Sequence, residues 1–337
     1  MTGQAEPLLK DGEKYALVAI RTLAEIPAVF HAAGPPELWA SSTSPVRLEG
    51  HWERWLGTIS AEHLAHANLF LVAKTRSQTL DVLDGENVEL KKLVYWFHLG
   101  LLLSARLTTF DDPIQLTGSS YDGDVSVRQV GHASRAAATL GLPPETLTTD
   151  CLTRAAAIAS ALQEWGSTGG SWRFNRVLNI YAAARANADA LERIHQFSRC
   201  IDGLILPNAG KTRSQFMSRS ETFIGPREHA LMGAIYDIRS LVEHLREYEF
   251  LEPPSRSGRV ELFRKAALIE YLARHCIGRV LLTKTLWPHF SSPAALESFW
   301  TLPPADRGQL WGDAIDLPAA LSDFTGQYMR EEDLGLT

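Results

Sequence analysis

The sequence predicts a mainly α-helical protein: a helical bundle in the C-terminal half, preceded by a mixed or helical N-terminal region. Three observations predict it. Apolar residues recur at helical spacing in long runs between positions 150 and 286, glycines and prolines fall where those runs end, and no repeat of fixed period points to a solenoid. With 337 residues, 45% of them hydrophobic, the chain can fill two cores of ordinary size. The expected division is an N-terminal region, residues 1–130, whose role cannot be read, and a helical domain, residues 131–337.

Along the chain, Tyr15 to Ile26 and Leu69 to Ala73 fit strands or buried helix pieces equally, because short apolar runs carry no decisive period. Asn87 is placed as the N-cap of an apolar helix running through Glu89 to Arg106, followed by a loop at Asp111-Asp112-Pro113. Thr117 to His132, with Gly118, Gly123 and Gly131, reads as the most loop-like stretch and as the boundary between the halves. Beyond it Asp150–Gln163, Arg173–Leu206, Thr212–Phe223, Arg227–Phe250 and Val260–Leu286 read as helices. They are punctuated at Gly166 to Gly170, Pro207 to Gly210, Gly225-Pro226 and Pro253-Pro254 to Gly258.

Composition narrows the function classes. A net charge of −6 argues against a surface that is basic throughout, so nucleic-acid binding would need a local patch. The three cysteines, Cys151, Cys200 and Cys276, form no C-x-x-C pair and read as core thiols of a reducing compartment. The start of the chain lacks a secretory pattern, and the apolar stretch Leu93 to Leu103 falls short of the roughly 20 residues that span a bilayer. A cytoplasmic protein without a membrane segment is expected. No G-x-S-x-G elbow or dinucleotide fingerprint supports the common hydrolases or Rossmann enzymes.

The segment richest in chemistry runs from Gly225 to Leu245. Pro226 stands where a helix begins, and Leu231, Ala234, Ile235, Ile238, Leu241, Val242 and Leu245 recur as a core stripe flanked by Arg239 and His244. Tyr-Asp-Ile-Arg-Ser-x-x-x-His, Tyr236 to His244, resembles the R-x4-6-H signature of HEPN domains, in particular the Apea-like HEPN branch. Arg199 to Leu206, Gly210-Lys211-Thr212 and Phe216 to Gly225 resemble the helices preceding that signature, so the resemblance covers roughly residues 175–285. The chain departs from it at Leu245, where many members have glycine, and at Ser240, where asparagine or aspartate is frequent.

The resemblance implies metal-independent RNA cleavage, with no cofactor. His244 would exchange a proton with the ribose 2′-hydroxyl, the Arg239 fork would hold the phosphate, and Ser240 would add a polar contact. Along a regular helix Arg239 and His244 stand about 7.5 Å and about 140° apart, so one helix does not easily bring both onto one phosphate. A homodimer through the HEPN helices, placing a pair from each subunit around one cleft, answers that constraint. In the alternative, the arginine and histidine pair with a carboxylate such as Asp237 or Glu243 and hold the bundle together.

Lys211, Arg213, Arg219 and Arg227, with Glu221 the only acid between 203 and 227, are the expected RNA-binding patch, the alternative being an ordinary solvated helix face. Gly210-Lys211-Thr212 is not a P-loop, because Ile205 stands where the first glycine is needed. His51, His63 and His66 lack a complete ligand set, and no metal site is assigned. Trp52, Trp55, Trp96, Trp172 and Trp287 read as core or inter-helix contacts. Two functions emerge: a ribonuclease acting as a toxin or microbial defence effector, or a non-catalytic HEPN dimerisation module serving a regulatory protein partner. In the first, Arg239 and His244 are accessible in a basic cleft; in the second they are buried or salt-bridged.

Overall fold

The computed structural model describes residues 9–26, 29–32, 34, 36–48, 50–77, 85–139, 141–143, 145–168, 171–245 and 255–325. The chain divides into two compact units: residues 1–136 with 144–163, and residues 137–143 with 164–337.

The first unit is built on a sheet. Its strands are β1 (Glu13–Ile20), β2 (Val29–Ala32), β3 (Glu37–Ser41), β4 (Leu69–Arg76), β5 (Ile114–Tyr121) and β6 (Asp124–His132), in the antiparallel order β2-β3-β4-β1-β5-β6. The ambiguous runs at Tyr15 and Leu69 are therefore strands. Central strand β1 is buried on both faces, which is why its sequence is a continuous apolar run rather than an alternation. Tyr15, Leu17 and Ala19 join Phe70, Val72, Ile114, Leu116 and Val127 in one core, against which Trp52, Leu56 and Leu64 of α1 (Gly50–Leu56) and α2 (Thr58–His66) pack. α3 (Gly85–Ser104) packs against β1, β4 and β5. Asn87 lies inside α3 rather than capping it, its amide donating to the Gly118 carbonyl at 3.2 Å.

The loop expected at Thr117 to His132 is instead the β5–β6 hairpin. Asp122 and Gly123, both at positive φ (52° and 78°), make its two-residue turn. Gly118 sits at a β-bulge where a side chain would strike the Ser126 carbonyl, so the glycine serves close strand approach rather than a loop. α4 (Thr149–Ser167) follows. Within this unit the Ala155 carbonyl of α4 lies where a side chain at Gly100 of α3 would stand.

The second unit is a helical bundle: α5 (Trp172–Ala186), α6 (Ala190–Ile205), α7 (Thr212–Ile224), α8 (His229–Glu243), α9 (Arg256–Leu282), and the short α10 (Trp287–Phe290), α11 (Pro293–Thr301) and α12 (Pro304–Trp311). The single helix expected over Arg173–Leu206 is two helices, because Asn187 accepts from the Asp189 amide and Asp189 accepts from the Leu191 and Glu192 amides, a turn followed by an N-cap. Central α6 packs against α5, α7, α8 and α9. At the centre, Glu270 of α9 accepts from Arg185 of α5, from Arg193 of α6 and from Thr139, all buried. Burial opposes the charge on Glu270, but the surrounding guanidinium groups win and hold its carboxyl down to about 2.

α8 begins three residues beyond Pro226 and ends at Glu243; residues 246–254, within the expected Arg227–Phe250 helix, lie outside the described residues. Its buried side chains are Met232, Ile235 and Tyr236. Leu231, Ala234, Ile238, Leu241 and Val242 are half-buried, and Leu245, expected in the stripe, is 90% exposed. Cys200 and Cys276 are buried as expected, whereas Cys151 is only partly so. No described helix is long and apolar enough to cross a membrane.

Candidate functional site: an arginine-lined groove

Three helices of the second unit frame an open groove of about 590 Å³. Trp172, Arg173 and Arg176 come from α5, Arg199 and Asp202 from α6, and Arg239 from α8, and Leu206 and Pro207 also line it. The placement follows from helical periodicity. Phe174, Val177, Leu178 and Tyr181 turn inward and anchor α5, which leaves Arg173 and Arg176 on its outer flank. Gly203 lets α5 and α6 approach closely, since a Cβ there would collide with the Val177 side chain.

Four arginines face one carboxylate in this groove. Arg239 Nη2 meets Asp202 Oδ2 at 3.0 Å, its guanidinium lies 5.4 Å from the Tyr236 ring centre, and its side chain remains 19% exposed. Glu243 stands 3.9 Å from the same nitrogen and accepts a 2.6 Å hydrogen bond from His195 Nε2. That bond holds the Glu243 carboxyl below its usual range. Burial drives Asp202 the other way, up to about 6, and the Arg239 charge only partly compensates. Asp202 is therefore more readily protonated than an ordinary aspartate, though still largely ionised at neutral pH.

The expected site residues are distributed unevenly. Arg239 lines the groove and is ion-paired; His244 is exposed at the end of α8, outside the groove lining, and its imidazole bonds to no described residue. Ser240 is half-buried between them in sequence. Of the four expected RNA-binding cations, Lys211 and Arg227 are exposed, and Arg213 is exposed but gripped by both Asp237 oxygens at 2.8 and 2.9 Å. Arg219 donates to the Ile205 and Leu206 carbonyls, each at 2.6 Å, and lies over the Trp300 ring, so it caps the C-terminus of α6. None of the four lines the groove.

Three groove arginines escaped the sequence reading: Arg173, Arg176 and Arg199. A signal for the first two was present in Trp172-Arg173-Phe174-Asn175-Arg176-Val177, whose buried and basic positions alternate at helical spacing. Trp172, expected to be a core or inter-helix contact, is 77% exposed, and Trp55 is likewise exposed. Among the described residues no group of three or more histidine, cysteine, aspartate or glutamate side chains is placed to hold a metal ion. The turn at Gly210-Lys211-Thr212 follows a helix, not the strand a P-loop requires. Comparison with protein families, curated proteins and solved structures finds no match to this chain.

Proposed function

We propose that this chain is a metal-independent endoribonuclease of HEPN type, acting as a toxin or microbial defence effector, whose RNA lies in the α5/α6/α8 groove. The observation that carries the reading is the concentration of Arg173, Arg176, Arg199 and Arg239 against the single carboxylate of Asp202, in a protein whose net charge is −6. Such a local patch attracts a polyanion that the molecule as a whole repels.

In this reading the scissile phosphate displaces Asp202 from the Arg239 guanidinium, whose fork then spans two phosphate oxygens. Asp202, whose burial raises its carboxyl, takes up a proton more readily as its cationic partner leaves. His244 removes the proton from the 2′-hydroxyl. The 2′-oxygen attacks phosphorus as the bond to the 5′-oxygen breaks, the protonated His244 returns its proton to that oxygen, and the products are a 2′,3′-cyclic phosphate and a 5′-hydroxyl. Ser240 adds a polar contact. His244 lies outside the groove lining of its own subunit, and the half-buried Ile238 and Leu241 with exposed Leu245 suit a two-fold contact along α8. A homodimer would bring a partner's His244 to the groove.

A second reading, a non-catalytic binding module, is favoured by the Arg239–Asp202 ion pair, which engages the clamp within the fold. Incubating labelled RNA with the wild-type chain, His244→Ala and Arg239→Ala in EDTA separates the two. The ribonuclease predicts cleavage by wild type alone; RNA binding without cleavage by any of the three supports the module and sinks the enzyme.

A further inference from the structure

The groove carries one feature that phosphate clamping does not use. Trp165, Trp300 and Trp311 of the second unit are buried, whereas Trp172 projects into solvent at the groove edge with 77% of its surface exposed. Keeping an indole in water forgoes the burial that normally places tryptophan inside. Arg173 and Arg176 line the groove with it and make no ion pair with any described residue. By contrast Arg185, Arg193, Arg213, Arg219 and Arg239 are all engaged by carboxylates or carbonyls. An open aromatic face beside two uncommitted guanidinium groups matches the two halves of a nucleotide, a π surface and an anion.

We propose that Trp172, Arg173 and Arg176 form a nucleotide subsite in which one unpaired RNA base stacks on the Trp172 indole while its phosphate is held by the two arginines. The inference rests on the RNA reading of the groove and adds a residue that decides which RNA is accepted. A base inside a duplex is stacked on both faces and cannot lie on an indole, so Trp172 selects for an unpaired nucleotide. The arginines contact only the backbone and carry no such selection.

The test is equilibrium binding of fluorescent 2′-O-methyl RNA, which has no 2′-hydroxyl to react, to the full chain. One probe is a single-stranded 12-mer and the other a duplex of the same sequence. Wild type is expected to prefer the single strand by at least about 10-fold, and Trp172→Ala to lose about 10- to 100-fold on the single strand with little change on the duplex. Trp172→Phe, which keeps a π face, is expected to recover most of that loss; Arg176→Ala weakens both probes and flattens the salt dependence by about one. Equal binding of both probes by wild type, or a Trp172→Ala chain that binds the single strand as wild type does, overturns the subsite. If metal-free cleavage survives that result, the ribonuclease stands without it. Failure to bind either probe overturns the subsite and the RNA groove together.

Discussion

Replacing Asp202 by asparagine removes the one carboxylate among the described residues that line the groove, and the burial of that group gives the direction of the effect. The folded environment raises this carboxyl from 3.8 to about 6, chiefly by burial. That displacement corresponds to about 3 kcal/mol. Because the folded chain holds the proton more tightly than the unfolded one, the stabilisation is complete below pH 3.8 and is lost as pH rises through about 6. At pH 7.5 wild type bears the cost of a buried charge, and asparagine, which still offers Arg239 a carbonyl oxygen, does not. Asp202→Asn is therefore expected to melt about 5–10 °C above wild type at pH 7.5, with the gap closing by pH 4. Thermal unfolding followed by circular dichroism at pH 7.5, 6.0 and 4.5 measures it. The same substitution leaves Arg239 without its Asp202 charge partner, so RNA affinity should rise and log K should fall more steeply with log salt, by about 0.7–0.9. A variant no more stable than wild type at pH 7.5, or a gap that persists unchanged to pH 4.5, refutes the claim that Asp202 is strained by burial.

Other perturbations test other parts of the account. Glu270→Gln leaves Arg185 and Arg193 buried without their carboxylate and is expected to cost about 3–5 kcal/mol by urea denaturation. In wild type the depressed Glu270 carboxyl supplies stability that is present above pH 4.5 and is lost as pH falls through about 2, visible as a steepening acid-unfolding curve that Glu270→Gln lacks. Gly118→Ala drives a methyl into the Ser126 carbonyl across the β5–β6 hairpin and should cost about 1–3 kcal/mol, read from the unfolding midpoint. Arg219→Ala should lower stability by about 2 kcal/mol while leaving RNA affinity within two-fold, about the spread of a repeated titration, because that guanidinium caps α6.

Much of the bundle was legible because its signals are local. Thr212 opens α7 as expected, and the Pro207 to Gly210 punctuation falls between helices, since prolines and glycines act on their immediate neighbours. The sheet was harder for the same reason. β1 is apolar on both faces, which erases the alternation that identifies a strand, and the Asp122-Gly123 hairpin turn was overshadowed by the glycines around it. Asn187 and Asp189 broke an otherwise continuous helical period through side-chain hydrogen bonds that hydrophobic spacing does not register. Of the candidate groove only Arg239 was singled out in the sequence. Arg239 and His244 stand out in sequence, but the Arg239–Asp202 pair joins residues 37 apart, and the grouping of Arg173, Arg176 and Arg199 depends on how α5 and α6 pack.

The ends of the RNA fragments report directly on the chemistry proposed for His244 and Arg239. A 5′-labelled RNA pool is incubated with the purified chain in EDTA, and the new ends are identified by phosphatase, kinase and acid treatment. Wild type is expected to give 2′,3′-cyclic phosphates facing 5′-hydroxyls, absent with His244→Ala and Arg239→Ala while both variants remain folded. Intact RNA throughout, 5′-phosphate ends, or cleavage that survives either substitution contradicts it.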